Sequence, residues 1–190
     1  MDAAIVRWLN GGVGAVPPFD DIVRIIVGDY FCPVVLSLLL FGAWFGARTA
    51  VSRMVHQKAC LSALIAMAFG NWAVEILDEL VARPRPFVEE NLQLLFYTPS
   101  DPSFPSNPAV VGMAFAAGLW TANRRLGYVA FGVATAWSVS RVYAGVSYPT
   151  DVLAGVAIAL AITAIVVWVV RRIEPAPTLL LRVAQRFHLA

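Results

Sequence analysis

Five apolar runs, at 31–47, 60–81, 108–123, 127–145 and 151–170, constrain this chain more than any other feature of its sequence. A hydrocarbon slab about 30 Å thick takes about 20 predominantly apolar residues to cross as a helix. Backbone amides inside it must be satisfied within the segment, which leaves helix as the fold of each run. The expected architecture is an all-α integral membrane protein built on a bundle of five spanning helices. Run 108–123 is short for a full span, so it should tilt little or sit where its neighbours thin the slab. Composition agrees, with 59% of residues hydrophobic and 14% charged, against about 45–50% and about 25% in soluble domains. No tandem repeat or low-complexity segment interrupts the pattern.

Basic residues set the expected orientation. Arg48, Arg53 and Lys58 lie between the first and second runs, Arg124 and Arg125 between the third and fourth, and Arg171, Arg172, Arg182 and Arg186 after the fifth. Those regions share one side of an alternating path, which the positive-inside rule makes cytoplasmic. Residues 1–29, the loop 82–107 and the turn 146–150 then face outward, and the C-terminus is cytoplasmic. Trp44, Trp120 and Trp168 fall near the cytoplasmic ends, as interfacial anchors do. A net charge of +2, split this unevenly across a membrane, excludes a case for nucleic acid. Cys32 and Cys60 begin successive spans on opposite sides and are too far apart to bridge.

Both ends are amphipathic. Residues 1–29 are expected as an outer-face amphipathic segment, a short helix, a Gly/Pro turn and a second helix that Asp20 or Asp21 caps. This stretch lacks the layout of a cleavable signal. Residues 174–190 form a basic amphipathic cytoplasmic tail after Pro175 and Pro177, leaving 30–173 as the helix bundle. His56 and His188 both fall on the cytoplasmic side, where neither can serve an outer site.

The outer ends of the helices gather chemistry. Arg83 and Arg85 follow the second run, Ser106 precedes the third, Arg141 lies one turn inside the fourth, and Asp151 opens the fifth. Arginine forks, a serine and a helix N-terminus converging on one point make a phosphate cradle. Arg141 needs a partner at membrane depth, either a carboxylate (Asp151, Asp78 or Glu75) or a phosphate. Glu75, Asp78 and Glu79 share one helix face with Asn71. With Asp151 these carboxylates have the oxygen chemistry of a Ca²⁺ or Mg²⁺ site, but no histidine or cysteine accompanies them and arginines crowd the same region. No metal and no cofactor are expected.

The stretches 83-RPRPF-87, 104-FPSNPA-109 and 140-SRVYAGVSYPTDVLAG-155, with 9-LNGGVGAVPPFDD-21 before them, resemble the type 2 phosphatidic acid phosphatase family, nearest its bacterial undecaprenyl-diphosphatase-like branch. The resemblance implies an inner-membrane protein with an outward-facing site in a helix bundle. There, one histidine attacks a lipid phosphate, an aspartate orients it, and a second histidine protonates the leaving group. It implies phosphate-binding roles for Arg85, Ser106 and Arg141, and the orienting role for Asp151. Three implied positions depart from the family pattern. The attacking histidine is Ser147, the acid histidine is Pro108, and a phosphate-binding lysine is Asp78.

Proline cannot donate a proton, and serine without an adjacent base is a weak nucleophile. Replacing a lysine by an aspartate changes the local charge by about two units against a phosphate. The expectation is a catalytically degenerate relative in which Glu75, Asp78 and Glu79 pair with Arg83, Arg85 and Arg141 and fill the phosphate space. Its expected partners are membrane lipids and other membrane-protein subunits, the latter docking on small-residue faces such as Gly112–Gly118. The alternatives are an active lipid phosphatase or undecaprenyl-diphosphatase using Ser147 or water, and a carrier of phospholipid headgroups.

Overall fold

A computed structural model describes residues 1–186, and all of their regular structure is helical. His188 and the end of the basic tail lie outside the described residues. Helices α1 (Asp2–Asn10) and α2 (Pro17–Val27) precede α3 (Phe31–Phe45), α4 (Ala50–Val81) and the single turn α5 (Pro86–Glu89). After a long loop come α6 (Asn107–Trp120), α7 (Arg124–Tyr143), α8 (Pro149–Arg172) and α9 (Ala176–Arg186).

Every expected run is a helix, but its ends are set by capping chemistry that hydropathy does not report. Segment 50–59, expected as part of a cytoplasmic loop, is the first part of α4. Thr49 and Ser52 form a reciprocal capping box there, so the helix starts ten residues ahead of the apolar run. Asn123 starts α7 by accepting from the backbone N–H groups of Arg125 and Leu126. Neither Asp20 nor Asp21 caps α2. That helix begins at Pro17, whose fixed φ suits a first helical position, and Asp20 Oδ2 instead accepts from the Gly14 N–H at 2.7 Å.

Two helical stretches, Ala50–Glu89 and Pro149–Arg172, are long and apolar enough to cross a membrane, with mean hydropathies of 1.7 and 2.7 in their best windows. The pair α2 and α3 makes a third candidate, bent by 57° at residues 28–30. Outward apolar surface is extensive: Leu38, Phe41, Ile165 and Trp168 are all more than half exposed. Such a surface suits hydrocarbon and not water.

Helix α6 is the axle of the bundle and packs against α3, α4, α7 and α8. Small residues permit the approach. A Cβ on Gly118 would lie 2.4 Å from the Ala63 Cβ of α4, one on Gly112 2.8 Å from the Ala134 Cβ of α7, and one on Gly155 of α8 2.7 Å from the Ser106 carbonyl oxygen. The small residues of α6 thus serve its own bundle: Gly112, Ala114, Ala116 and Gly118 are all buried. Two apolar clusters flank this axle. One joins Leu36 and Leu40 to Phe115, Leu119 and Trp137; the other joins Val74, Val110 and Met113 to Ala159 and Val166.

The ends fold back on the bundle. Val6 packs with Val142 and Tyr148, and Val27 with Ala144 and Val146, so α1 and α2 cover the C-terminal end of α7. Asn10 pins this cover. Its Nδ2 donates to the Gln93 and Tyr143 carbonyls at 2.8 and 3.0 Å, and its Oδ1 accepts from the Gln93 N–H at 2.8 Å. At the opposite end, Gln185 of α9 donates to the fully buried Gln57 at 3.1 Å, Leu181 is buried, and Lys58 pairs with Glu174. Cys32 and Cys60 are both free.

Two stability predictions arise. Gly118→Val should lower stability by on the order of 3 kcal/mol, because α4 backbone lies within 2.8 Å of the new Cβ. The matched Gly132→Ala on α7, with nothing within 4 Å, should be neutral or stabilising by up to about 1 kcal/mol. Thermal unfolding in one detergent compares the pair. Asn10→Leu should cost about 3 kcal/mol by stranding the Gln93 amide and two carbonyls, and should expose loop 90–106 to limited proteolysis before the bundle unfolds.

Candidate functional site

The end of α4 stands above the start of α6. Gly70 of α4 meets Val110 of α6, so α6 begins about level with residue 73, while α4 continues to Val81, about 12 Å farther at 1.5 Å per residue. The last two turns of α4 therefore form the wall of a recess floored by the first turn of α6. The cavity there has a volume of about 370 Å³ and brings together Arg85, Ser106, Pro108, Arg141 and Ser147, with Glu75 and Asp78 on the α4 wall. Asp151 and Arg83 lie behind this lining, and Glu79 is exposed outside it.

Asp151 fixes the floor. It has no exposed surface, and its carboxylate accepts from the Ser103 hydroxyl, the Tyr148 N–H at 3.1 Å and Arg83 Nη1 at 2.6 Å. Its backbone carbonyl accepts from the Ser106 N–H at 3.0 Å, which seats the α6 N-cap against α8. Arg83 also donates to Asp2 at 2.9 Å and to Thr150 at 2.9 Å, with its guanidinium 4.0 Å from the Tyr148 ring centroid. Burial pushes the Asp2 carboxyl up, but bonds from Thr150 and Arg83 outweigh it and leave the group below its ordinary value. The Tyr148 hydroxyl, buried and donating to Glu89 at 3.0 Å, is pushed up to about 12.

The arginine pairing differs from the sequence expectation. Glu75, Asp78 and Glu79 pair with none of the three arginines. Arg85 donates to the Asp101 carboxylate at 2.7 Å, to the Asp101 carbonyl at 2.8 Å and to the Val146 carbonyl at 2.7 Å. Arg141 donates to Asp29 at 2.5 Å, not to Asp151, Asp78 or Glu75, and lies 4.5 Å from the Phe96 ring centroid. Tyr97 donates to the same Asp29 at 2.9 Å; burial first, then this bond, raises its hydroxyl above the ordinary value. Arg83 pairs with Asp2 of α1 and Asp151 of α8, whereas the partners of Arg85 and Arg141 are loop carboxylates that line the recess with them, and the space above α6 remains an open cavity.

Several polar groups facing the recess lack partners among the described residues. They are the Ser106 hydroxyl, Trp137 Nε1, Arg141 Nε, Asn71 Oδ1 and Asp78 Oδ1. Ser147 makes no hydrogen bond to Asp151, whose bonds go to Ser103, Arg83 and Tyr148. Among the described residues, no group of three or more His, Cys, Asp or Glu could hold a metal ion. His56 lies on the first turns of α4, far along the helix from the recess.

Sequence reasoning missed Asp29, Asp101, Ser103 and Trp137. Asp29 and Asp101 sit in loops, and no spacing rule links a loop carboxylate to a distant arginine. Trp137 falls in an apolar run and reads there as packing.

The chain is similar to known proteins in sequence and in fold. A chain 28% identical over 144 residues, 75% of this chain and 70% of its own length, is the undecaprenyl-diphosphatase BcrC of Bacillus subtilis. Two crystal structures share the fold at 23% identity. One, the transmembrane PAP2 type phosphatidylglycerolphosphate phosphatase of Bacillus subtilis, has a TM-score of 0.65 over 92% of this chain and 86% of that one. The other, LpxE of Aquifex aeolicus, has a TM-score of 0.68 over 87% and 93%. The PAP2 superfamily model matches residues 59–175, which take in α6, α7, α8 and every residue lining the recess except Asp29, and the chain belongs to that superfamily.

Proposed function

We propose that this chain is a non-hydrolytic member of its superfamily that binds a lipid headgroup in the outward recess. The observation that carries this reading is the wiring of Asp151. Its carboxylate is engaged by Ser103, Arg83 and Tyr148, so it neither orients nor deprotonates Ser147. No described imidazole lies near enough to do so instead, and an alcohol attacks phosphorus slowly without an adjacent base. Pro108 at the recess has no proton to give a leaving group. The positions that the family fills with two histidines and a lysine, here Ser147, Pro108 and Asp78, thus lack the nucleophile, the acid and one phosphate-binding cation.

Binding, in contrast, is supported by the open cavity and by buried donors that find no acceptor among the described residues. An unsatisfied buried donor costs on the order of 1–3 kcal/mol, and a ligand that meets it recovers that cost. The same cavity favours a lipid-binding protein over a purely structural subunit, and the small residues of α6 are already used inside the bundle.

In this reading the bundle 30–173 crosses a bacterial cytoplasmic membrane five times, through α3, α4, α6, α7 and α8. Residues 1–29 lie on the outer face and 174–190 on the cytoplasmic face. Support comes from the apolar outer surface, from the basic residues at the α9 end, and from a relative in a bacterium.

Phosphate release from phosphatidic acid and from a polyprenyl diphosphate tests the proposal. The purified native protein is expected to show none above background. A Pro108→His/Ser147→His/Asp78→Lys variant is expected to gain at least about 10²-fold. Ser147 does line the cavity, so hydrolysis with an atypical nucleophile is the competing outcome. Native turnover that Arg141→Ala abolishes would establish it and overturn the proposal.

A further inference from the structure

The recess is two-sided. On its floor, the Ser106 hydroxyl, Trp137 Nε1 and Arg141 Nε are donors without acceptors among the described residues, on residues 2%, 5% and 6% exposed. On its wall, Asn71, Glu75 and Asp78 recur at four- and three-residue spacing along α4 and line the same cavity. Asn71 Oδ1 and Asp78 Oδ1 are buried acceptors without donors. Neither Glu75 nor Asp78 forms an ion pair with any described residue.

Charge decides what such a cavity can take. Arg85 is paired with Asp101 and Arg141 with Asp29, so both cations are compensated within the protein. Glu75, which is exposed, and Asp78 form no ion pair among the described residues. A bare phosphate monoester would bring further negative charge beside two unpaired carboxylates, whereas a ligand carrying its own cation would neutralise them. A hydroxylated headgroup could meet the orphaned acceptors but would leave the carboxylates uncompensated. A primary ammonium has three donors and one positive charge, and the wall offers three acceptor side chains.

We infer that the recess binds a phosphoethanolamine-type headgroup, a phosphate joined to a primary amine. The floor groups Ser106, Trp137 and Arg141 take its phosphate, and the α4 wall groups Asn71, Glu75 and Asp78 take its ammonium. The inference rests on the non-hydrolytic, headgroup-binding function proposed above and names the ligand class. A quaternary ammonium, which has no N–H, fits the wall less well. The apolar outer faces of the bundle make a membrane phospholipid the source of this headgroup in place of a soluble amino-phosphate.

Native mass spectrometry of the full chain tests this, in one detergent, with phosphatidylethanolamine, phosphatidylcholine, phosphatidylglycerol and phosphatidic acid of identical acyl chains. Phosphatidylethanolamine is expected to bind at least about 10-fold more tightly than each of the others. Glu75→Gln/Asp78→Asn, with thermal unfolding confirming its fold, should reduce that preference to within about twofold. Ser106→Ala should weaken all four. Soluble phosphoethanolamine is the second arm. Failure to displace the lipid at millimolar concentration supports a lipid source; displacement at micromolar concentration overturns it. The inference falls if any other lipid matches phosphatidylethanolamine, if none binds, or if the double variant keeps the preference. Release of free phosphate or ethanolamine during incubation would overturn the non-hydrolytic proposal alone, since the headgroup preference is read separately.

Discussion

Asp151 cannot stay buried at the head of α8 without donors, and those it takes tie together separate parts of the chain. Ser103 brings the long loop down onto the bundle, Arg83 brings the end of α4 across, and the Tyr148 N–H closes the turn between α7 and α8. Its own carbonyl then receives the Ser106 amide and sets where α6 begins. Removing a carboxylate from such a network strands several polar groups at once, and each carries a desolvation penalty. The outer architecture depends on this one side chain more than on any apolar contact.

Packing inside the bundle works on a different length scale. Gly118 against Ala63, Gly112 against Ala134 and Gly155 against the Ser106 carbonyl bring helices closer than side chains of ordinary size permit. Together these contacts hold a 14-residue helix rigidly at the centre of longer ones. The recess follows from that inequality of length. Loop carboxylates then complete it: Asp101 holds Arg85 and Asp29 holds Arg141, and all four line the cavity.

The helices were legible in the sequence because runs free of most charge admit few other folds, and the recess residues were legible because three motifs fall at helix ends on the same side of the bundle. Arg85, Ser106, Arg141 and Ser147 do converge. Two kinds of feature were not legible. Helix starts depend on local capping: Thr49 with Ser52 extends α4 into a stretch whose basic residues read as loop, and Pro17 starts α2 ahead of the aspartates expected to cap it. Ion-pair partners depend on tertiary paths, so Asp101 takes Arg85, Asp29 takes Arg141, and Asp2 and Asp151 take Arg83, in place of the nearer-looking Glu75, Asp78 and Glu79. A carboxylate one helical turn away along the sequence is not closer in space than one on a loop folded over the bundle's end.

The shortness of α6 also sets a depth. Fourteen residues span about 21 Å, and on the side of the recess α4 runs about 12 Å past the start of α6. A headgroup reaching Ser106 and Arg141 would therefore descend below the end of α4 and leave part of its hydration behind. At that depth the effective dielectric constant is far below that of water, so each mismatch of charge is felt more strongly. Selectivity would then arise from how far the ligand must sink as much as from which side chains it meets.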